Sequence, residues 1–176
     1  MNNLARIRIK KMVSHLLSRA SITEPPVALD KIVHLLKIKI KIAPYEGEND
    51  LSGVLIRDLN KTIIGVNSNH NRHRQRFTIS HEIGHYLLHE GNQVYIDRKY
   101  KLNFRDETSS YGTNRQEVEA NAFASMLLIP EEFLLQDLQQ HEIDILDEND
   151  IQYLARRYNV SPQAMSLRLS RISSSF

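Results

Sequence analysis

The chain has 176 residues, with 41% hydrophobic and 25% charged side chains, the composition of a soluble globular protein with room for one sizeable core. Its 23 basic and 21 acidic residues leave a net charge of +2, which does not by itself point to nucleic acid. It contains no cysteine, so disulfides and thiolate metal sites are excluded, and any metal must be held by histidine and carboxylate.

In chain order, Leu4, Ile7, Lys11, Met12, Leu16 and Ala20 roughly follow helical spacing. They predict a helix over residues 4–20 with a basic outer face of Arg6, Arg8, Lys10, Lys11 and Arg19. Charges interrupt the apolar positions of this segment, so it does not read as a signal peptide, and no run reaches transmembrane length; the expected location is the cytoplasm. After "TEPP", Pro25 and Pro26 are expected to open a second helix, "VALDKIVHLLK". "IKIKIAPY" then alternates with strand period. "LSGVLIRD" and "KTIIGVN", separated by "DLNK", predict a hairpin. "NSNHNRHRQR" reads as a polar loop before a helix from about Phe77 to His89. Residues 91–114 show little periodicity and read mostly as loop.

Four further helices are expected downstream. "RQEVEANAFASMLLIP" predicts one from about Asn114 to Ile129, stopped by Pro130. "EEFLLQDLQQ", "DENDIQYLARRY" and "SPQAMSLRLSRIS" supply three more, the last with Ser161 as N-cap and Pro162 at the first helical position. The expected architecture is α+β: a small mixed or antiparallel three-stranded sheet packed on the helices that carry the functional residues, with a helical C-terminal tail. Residues 1–135 would form the main domain. Residues 136–176 would be a helical extension packed on it.

The chemistry concentrates in "FTISHEIGHYLLH", residues 77–89, which holds three of the eight histidines. His81, Glu82 and His85 spell HExxH. Positions i and i+4 lie on one helix face, so two imidazoles there can address one ion, and zinc suits them. Glu82, beside the first histidine, can face the open coordination position as general base, taking a proton from a water whose pKa zinc lowers to about 7. Gly84 is costly in mid-helix, by roughly 1 kcal/mol against alanine, which predicts that another backbone packs close to it.

Catalytic zinc usually takes a third protein ligand. His89 extends the stripe, but residues at i, i+4 and i+8 span about 12 Å at about 1.5 Å per residue and cannot all meet one ion. The HExxHxxGxxH pattern also fails, because Leu88 stands where its glycine would be and Gly91 where its histidine would be. His89 is therefore expected outside the ligand set, beside a ligand or at the surface. "EVEAN" offers the better source: Glu117 and Asn121 share a helix face, while Glu119 lies about 200° around it. Glu117 is expected as the ligand, with the Asn121 amide oxygen accepting the free N–H of a ligand histidine.

"SGVLIRD…IIGVNSNHNRHRQRFTISHEIGHYLLH" followed by "EVEANAFASMLLIP" resembles the ImmA/IrrE family of zinc metallopeptidases, well over residues 25–135 and more loosely over the tail. The resemblance implies HExxH plus a downstream glutamate, which falls on Glu117, and Zn2+ as cofactor. It implies a protein substrate, a helix-turn-helix repressor or a regulator of stress responses or mobile elements, encoded nearby. It also implies an edge strand, here in the "SGVLIRD" hairpin, that holds an extended peptide by main-chain pairing. "IQYLARRYNVSPQAMSLRLSRI" has a helix-turn-helix look, with Arg168 and Arg171 on its second helix. Packing on the domain is the expected role of this tail, and direct DNA binding is not expected. The competing function is a non-catalytic regulator that binds a repressor or DNA through the tail. An oxyanion stabiliser besides zinc is expected; Tyr95, Tyr100 and Tyr111 fall in the stretch of weak periodicity, and none of them stands out.

Overall fold

The computed structural model describes residues 1–45, 51–58, 61–89, 94–97, 111–141 and 143–173, with only the backbone of 94–97, 111–114 and 173. A four-stranded mixed sheet is formed by β1 (Ile38–Ala43), β2 (Gly53–Asp58), β3 (Lys61–Asn67) and β4 (Val94–Asp97), in the order β1-β3-β2-β4. β1 runs parallel to β3, from Ile38↔Thr62 to Ala43↔Asn67. β2 and β3 form the expected antiparallel hairpin, with Gly53 opposite Val66 and Asp58 opposite Lys61. The α+β class, the mixed sheet and the helical C-terminal region are as expected, and the sheet is wider by one strand.

That extra strand, β4, pairs antiparallel with β2, placing Gly53 opposite Asp97. It lies in the stretch that reads as loop, because four residues are too few for alternation to stand out and its pairing is non-local. Its presence corrects a second expectation. β2 is hydrogen-bonded on both sides, so neither hairpin strand is an open edge; among the described residues the edges are β1 and β4.

The helices are α1 (Asn3–Arg19), α2 (Leu29–Leu35), α3 (Arg72–Leu88), α4 (Tyr111–Leu128), α5 (Glu131–Gln140), α6 (Glu148–Tyr158) and α7 (Pro162–Ser173). None among the described residues is long and apolar enough to cross a membrane. α1 buries Ile9, Val13, Leu16 and Leu17, while Leu4 is 78% and Ile7 44% exposed. Its buried stripe thus starts at Ile9 and lies on a different face from Leu4 and Ile7. α2 begins after Val27 and Ala28, leaving Pro25 and Pro26 in the connection. α3 begins five residues before Phe77, because Asn71 caps it: its side chain accepts from the Arg74 amide at 3.0 Å. The polar run after that cap is helical and tied down, Arg74 donating to Ser52 Oγ and Arg76 to the Val27 carbonyl, each at 2.9 Å.

The tail helices share a core with the rest, and polar bonds tie α6 to α5. Asp137 of α5 accepts from Tyr158 Oη and from Arg157 Nε, both at 2.8 Å. Leu154, Tyr158, Met165, Leu169 and Ile172 belong to the same buried cluster as Leu127 and Leu134. Ser161 caps α7, accepting from the Ala164 amide at 3.2 Å. Asn159 adopts left-handed backbone, φ 53°, to close α6.

α3 lies under the sheet and crosses α4 closely. A Cβ on Gly84 would stand 3.2 Å from Ala120 Cα, from the Ala120 carbonyl oxygen and from Phe123 Cβ. The expected close backbone approach is therefore present, and Ile83, Ala120, Phe123 and Ala124 are buried around it. Gly84→Val should lower the unfolding free energy of the metal-free protein by about 1–3 kcal/mol in urea denaturation. Wild-type stability would mean that the two helices part freely at this point.

Candidate metal centre

His81 and His85 sit one turn apart on α3, and neither is accessible to solvent. Their Nε2 atoms lie 2.8 Å from each other. The α4 crossing delivers Glu117 to the same point, with Oε2 3.2 Å from His81 Nε2 and Oε1 3.2 Å from His85 Nε2. The three donors lie within 4.8 Å of one another and form a group that could hold a metal ion. The Glu117 side chain is 36% exposed, so the group opens to solvent on that side.

The donor chemistry fits a cation. His81 Nδ1 is 2.8 Å from Asn121 Oδ1, and an amide oxygen only accepts, so Nδ1 carries the proton. In neutral His81, Nε2 is then a lone pair facing a second imidazole nitrogen and a carboxylate oxygen. Three electron-rich atoms converge there, and a shared divalent ion resolves the repulsion. Without a metal, burial pushes the Glu117 carboxyl up, but hydrogen bonds and charge from His81 and His85, when these rings are protonated at Nε2, outweigh it and hold it at about 2. Glu117 is therefore ionised at neutral pH, the form that ligates.

Glu82 follows His81 and is wholly buried. The first residue of β2, Gly53, lies against it. A Cβ at Gly53 would overlap Thr78 Cγ2 and stand 3.1 Å from Glu82 Oε1. Glycine is needed there for close approach; the sequence carries no signal for this beyond the residue itself. β2 also reaches α3 at the other end of the motif, where Arg57 donates to the His85 carbonyl at 2.6 Å and its guanidinium lies 5.6 Å from the Tyr86 ring centroid.

His89, buried at the end of α3, stands outside the three-donor group but touches the far side of one of its rings. Its Nδ1 is 3.1 Å from His85 Nδ1, and its Nε2 is 3.3 Å from Glu119 Oε2. Glu119 in turn accepts from Arg115 Nε at 2.9 Å. Glu119 is thus turned away from the three donors, on the face the helical wheel gives it. Burial pushes the His89 pKa below its ordinary value, and the hydrogen bond to Glu119 opposes that shift. Arg57 was not legible as part of this surround because its contact is long-range; Arg115 pairs locally with Glu119 at i,i+4, and that pair joins the surround only through His89.

The side chains of Tyr95, Tyr100 and Tyr111 lie outside the described residues. In the tail, Arg168 does not face outward as a helix-turn-helix reading needs. It is 3% exposed, donates to the Ile129 carbonyl at 3.1 Å and lies 3.6 Å from Glu131.

Fold and donor set together define an α+β domain in which an HExxH helix and a glutamate from a second helix form a group that could hold a metal ion. Residues 35–170 match the model of the Peptidase_M78 family, the IrrE N-terminal-like domain, and the chain belongs to that family. It is 32% identical over 94 residues to the uncharacterized immunity region protein 2 of Bacillus phage phi105, covering 53% of this chain and 54% of that protein. Its fold is similar to that of a Mycobacterium tuberculosis transcriptional regulator, with a TM-score of 0.57 and 15% identity, over 97% of this chain and 48% of that one. The chain spans about half the length of each of these two proteins.

The purified protein is expected to bind about one divalent ion per chain, as one three-donor group predicts. His81→Ala and His85→Ala should each abolish stoichiometric binding, and Glu117→Ala should weaken it severely. Glu119→Ala should still fill at high metal concentration, and Asn121→Ala should lose about 10- to 100-fold in affinity. Metal analysis after dialysis, with chelator competition, reads all five. An empty Glu119→Ala beside a filled Glu117→Ala would reverse the assignment of the α4 face.

Proposed function

We propose that the protein is a zinc-dependent endopeptidase that cleaves a transcriptional regulator, a helix-turn-helix repressor or stress or mobile-element regulator encoded nearby. The observation that carries this reading is the convergence of His81, His85 and Glu117 with a buried Glu82 next to them. A purely structural ion has no use for a carboxylate base beside it. Membership of a peptidase family supports hydrolysis of a protein. A relative from a phage immunity region supports a regulator of a mobile element as substrate. Residues 1–135 are the peptidase unit in this reading and 136–176 a packed extension, working in the cytoplasm. The inward turn of Arg168 speaks against DNA contact by the tail.

Zinc, when bound, would supply a Lewis acid that polarises the scissile carbonyl and acidifies water. His81 and His85 present Nε2 for it, and Glu117 offsets part of its charge. Asn121 keeps the His81 ring in the tautomer that leaves Nε2 bare. Glu82 takes a proton from the attacking water, whose oxygen forms the new bond to the carbonyl carbon. It then delivers that proton to the amide nitrogen as the C–N bond breaks. Gly53 keeps β2 close over this carboxylate without crowding it.

Glu82→Gln keeps the size of the side chain and removes the base. Metal content and fold should stay near wild type, while cleavage of the adjacent-gene regulator should fall by at least about 10²-fold. The measurement is a cleavage time course with wild type, Glu82→Gln, and wild type plus chelator. Inactivation of the regulator without cleavage, equal in all three, would replace the peptidase reading with that of a binding protein.

A further inference from the structure

A histidine that ligates through Nε2 must carry its proton on Nδ1, and that proton needs an acceptor. For His81 the acceptor is the Asn121 amide oxygen. For His85, 3.1 Å from its Nδ1, stands the Nδ1 of a second imidazole, His89. Two imidazole nitrogens can form one hydrogen bond only if one is bare. If His85 donates, His89 Nδ1 is the bare one, and the His89 proton sits on Nε2. That proton points at Glu119 Oε2, 3.3 Å away, and a carboxylate accepts it. The other Glu119 oxygen accepts from Arg115 Nε at 2.9 Å. Each group along this line has one role, and the order of donors and acceptors is consistent from Arg115 and Glu119 back to His85.

The line also explains placements that the ligand set does not. His89 is the residue that ends α3, with extended backbone, yet its amide still bonds to the His85 carbonyl at 3.2 Å. The backbone that carries the ring is therefore fixed, while Glu119 holds the ring itself. The Glu119 side chain is 15% exposed although it faces away from the three donors, and the Arg115 side chain, 73% exposed, covers its outer oxygen.

We propose that His89 is a positioning residue for His85: held by Glu119 and Arg115, it fixes the His85 ring and tautomer so that Nε2 faces the metal. This rests on the reading of His81, His85 and Glu117 as metal ligands. The two ligand histidines are then locked by different means, one by an amide on α4 and the other through a histidine–carboxylate–arginine line between α3 and α4.

The test measures zinc affinity by competition with a chromophoric chelator, and the cobalt-substituted absorption spectrum, in His89→Leu and His89→Asn. Leucine removes the acceptor, whereas the asparagine Oδ1 can stand where Nδ1 was. His89→Leu should bind zinc about 10- to 100-fold more weakly and shift the cobalt bands. His89→Asn should recover most of both. Wild-type affinity in His89→Leu, or equal losses in the two variants, would overturn the proposal, the second by showing that only packing was removed. Should His89→Leu fail to fold, Glu119→Gln reads the same line: lowered affinity at an unchanged melting temperature of the metal-free protein supports it, and unchanged affinity overturns it. Failure of the ligand assignment looks different, since His85→Ala would then bind zinc like wild type.

Discussion

The close crossing of α3 and α4 at Gly84 is the constraint on which the rest of the site depends. His85 and Glu117 are far apart in sequence, and their side chains meet only because the helix backbones approach with no Cβ between them at that point. A larger residue at Gly84 would push Ala120 away, and Glu117 and Asn121 would move with it. The roughly 1 kcal/mol that glycine costs a helix interior is small beside what a misplaced ligand would cost. The sheet serves the same geometry from the other side. Gly53 lets β2 lie against Glu82, and Arg57 bonds to the His85 carbonyl, so the HExxH turn is held between two surfaces.

Burial explains why so much of the surround is polar. Two imidazoles removed from water, beside a carboxylate only partly so, are costly unless each polar atom is satisfied. The inward atoms converge on one point suited to a cation, and the outward atoms are taken up by α4. Asn121 meets His81, and the line through His89 and Glu119 meets His85. α4 therefore has two faces at work, one toward the three donors and one toward the end of α3. That is why both Glu117 and Glu119 are partly or largely sheltered although they lie on different sides of the helix.

What was legible in the sequence follows from the range of the physics involved. HExxH on a helix is a local pattern, and so is the shared face of Glu117 and Asn121; both follow from 3.6 residues per turn. Gly84 was legible because a mid-helix glycine needs a reason. The start of α3 was hidden because its first turn is polar, and composition there outweighed the weaker signal of a capping asparagine at Asn71. β4 was hidden because its partner, β2, is remote in sequence. The exposed apolar residues Leu4 and Ile7 drew the α1 stripe to the wrong face. The helix-turn-helix look of the tail was a true reading of two capped helices, but which arginine faces inward depends on the junction of α4 and α5, where Ile129 and Glu131 receive Arg168.

The central claim is that one metal ion sits where α3 and α4 cross. Anomalous diffraction at the zinc edge from crystals of the zinc-loaded protein tests it most directly. The account predicts one peak per chain, about 2.0–2.2 Å from His81 Nε2, His85 Nε2 and a Glu117 carboxylate oxygen. A peak bound instead through Glu119 or His89, or no peak at the crossing of the two helices, would contradict it.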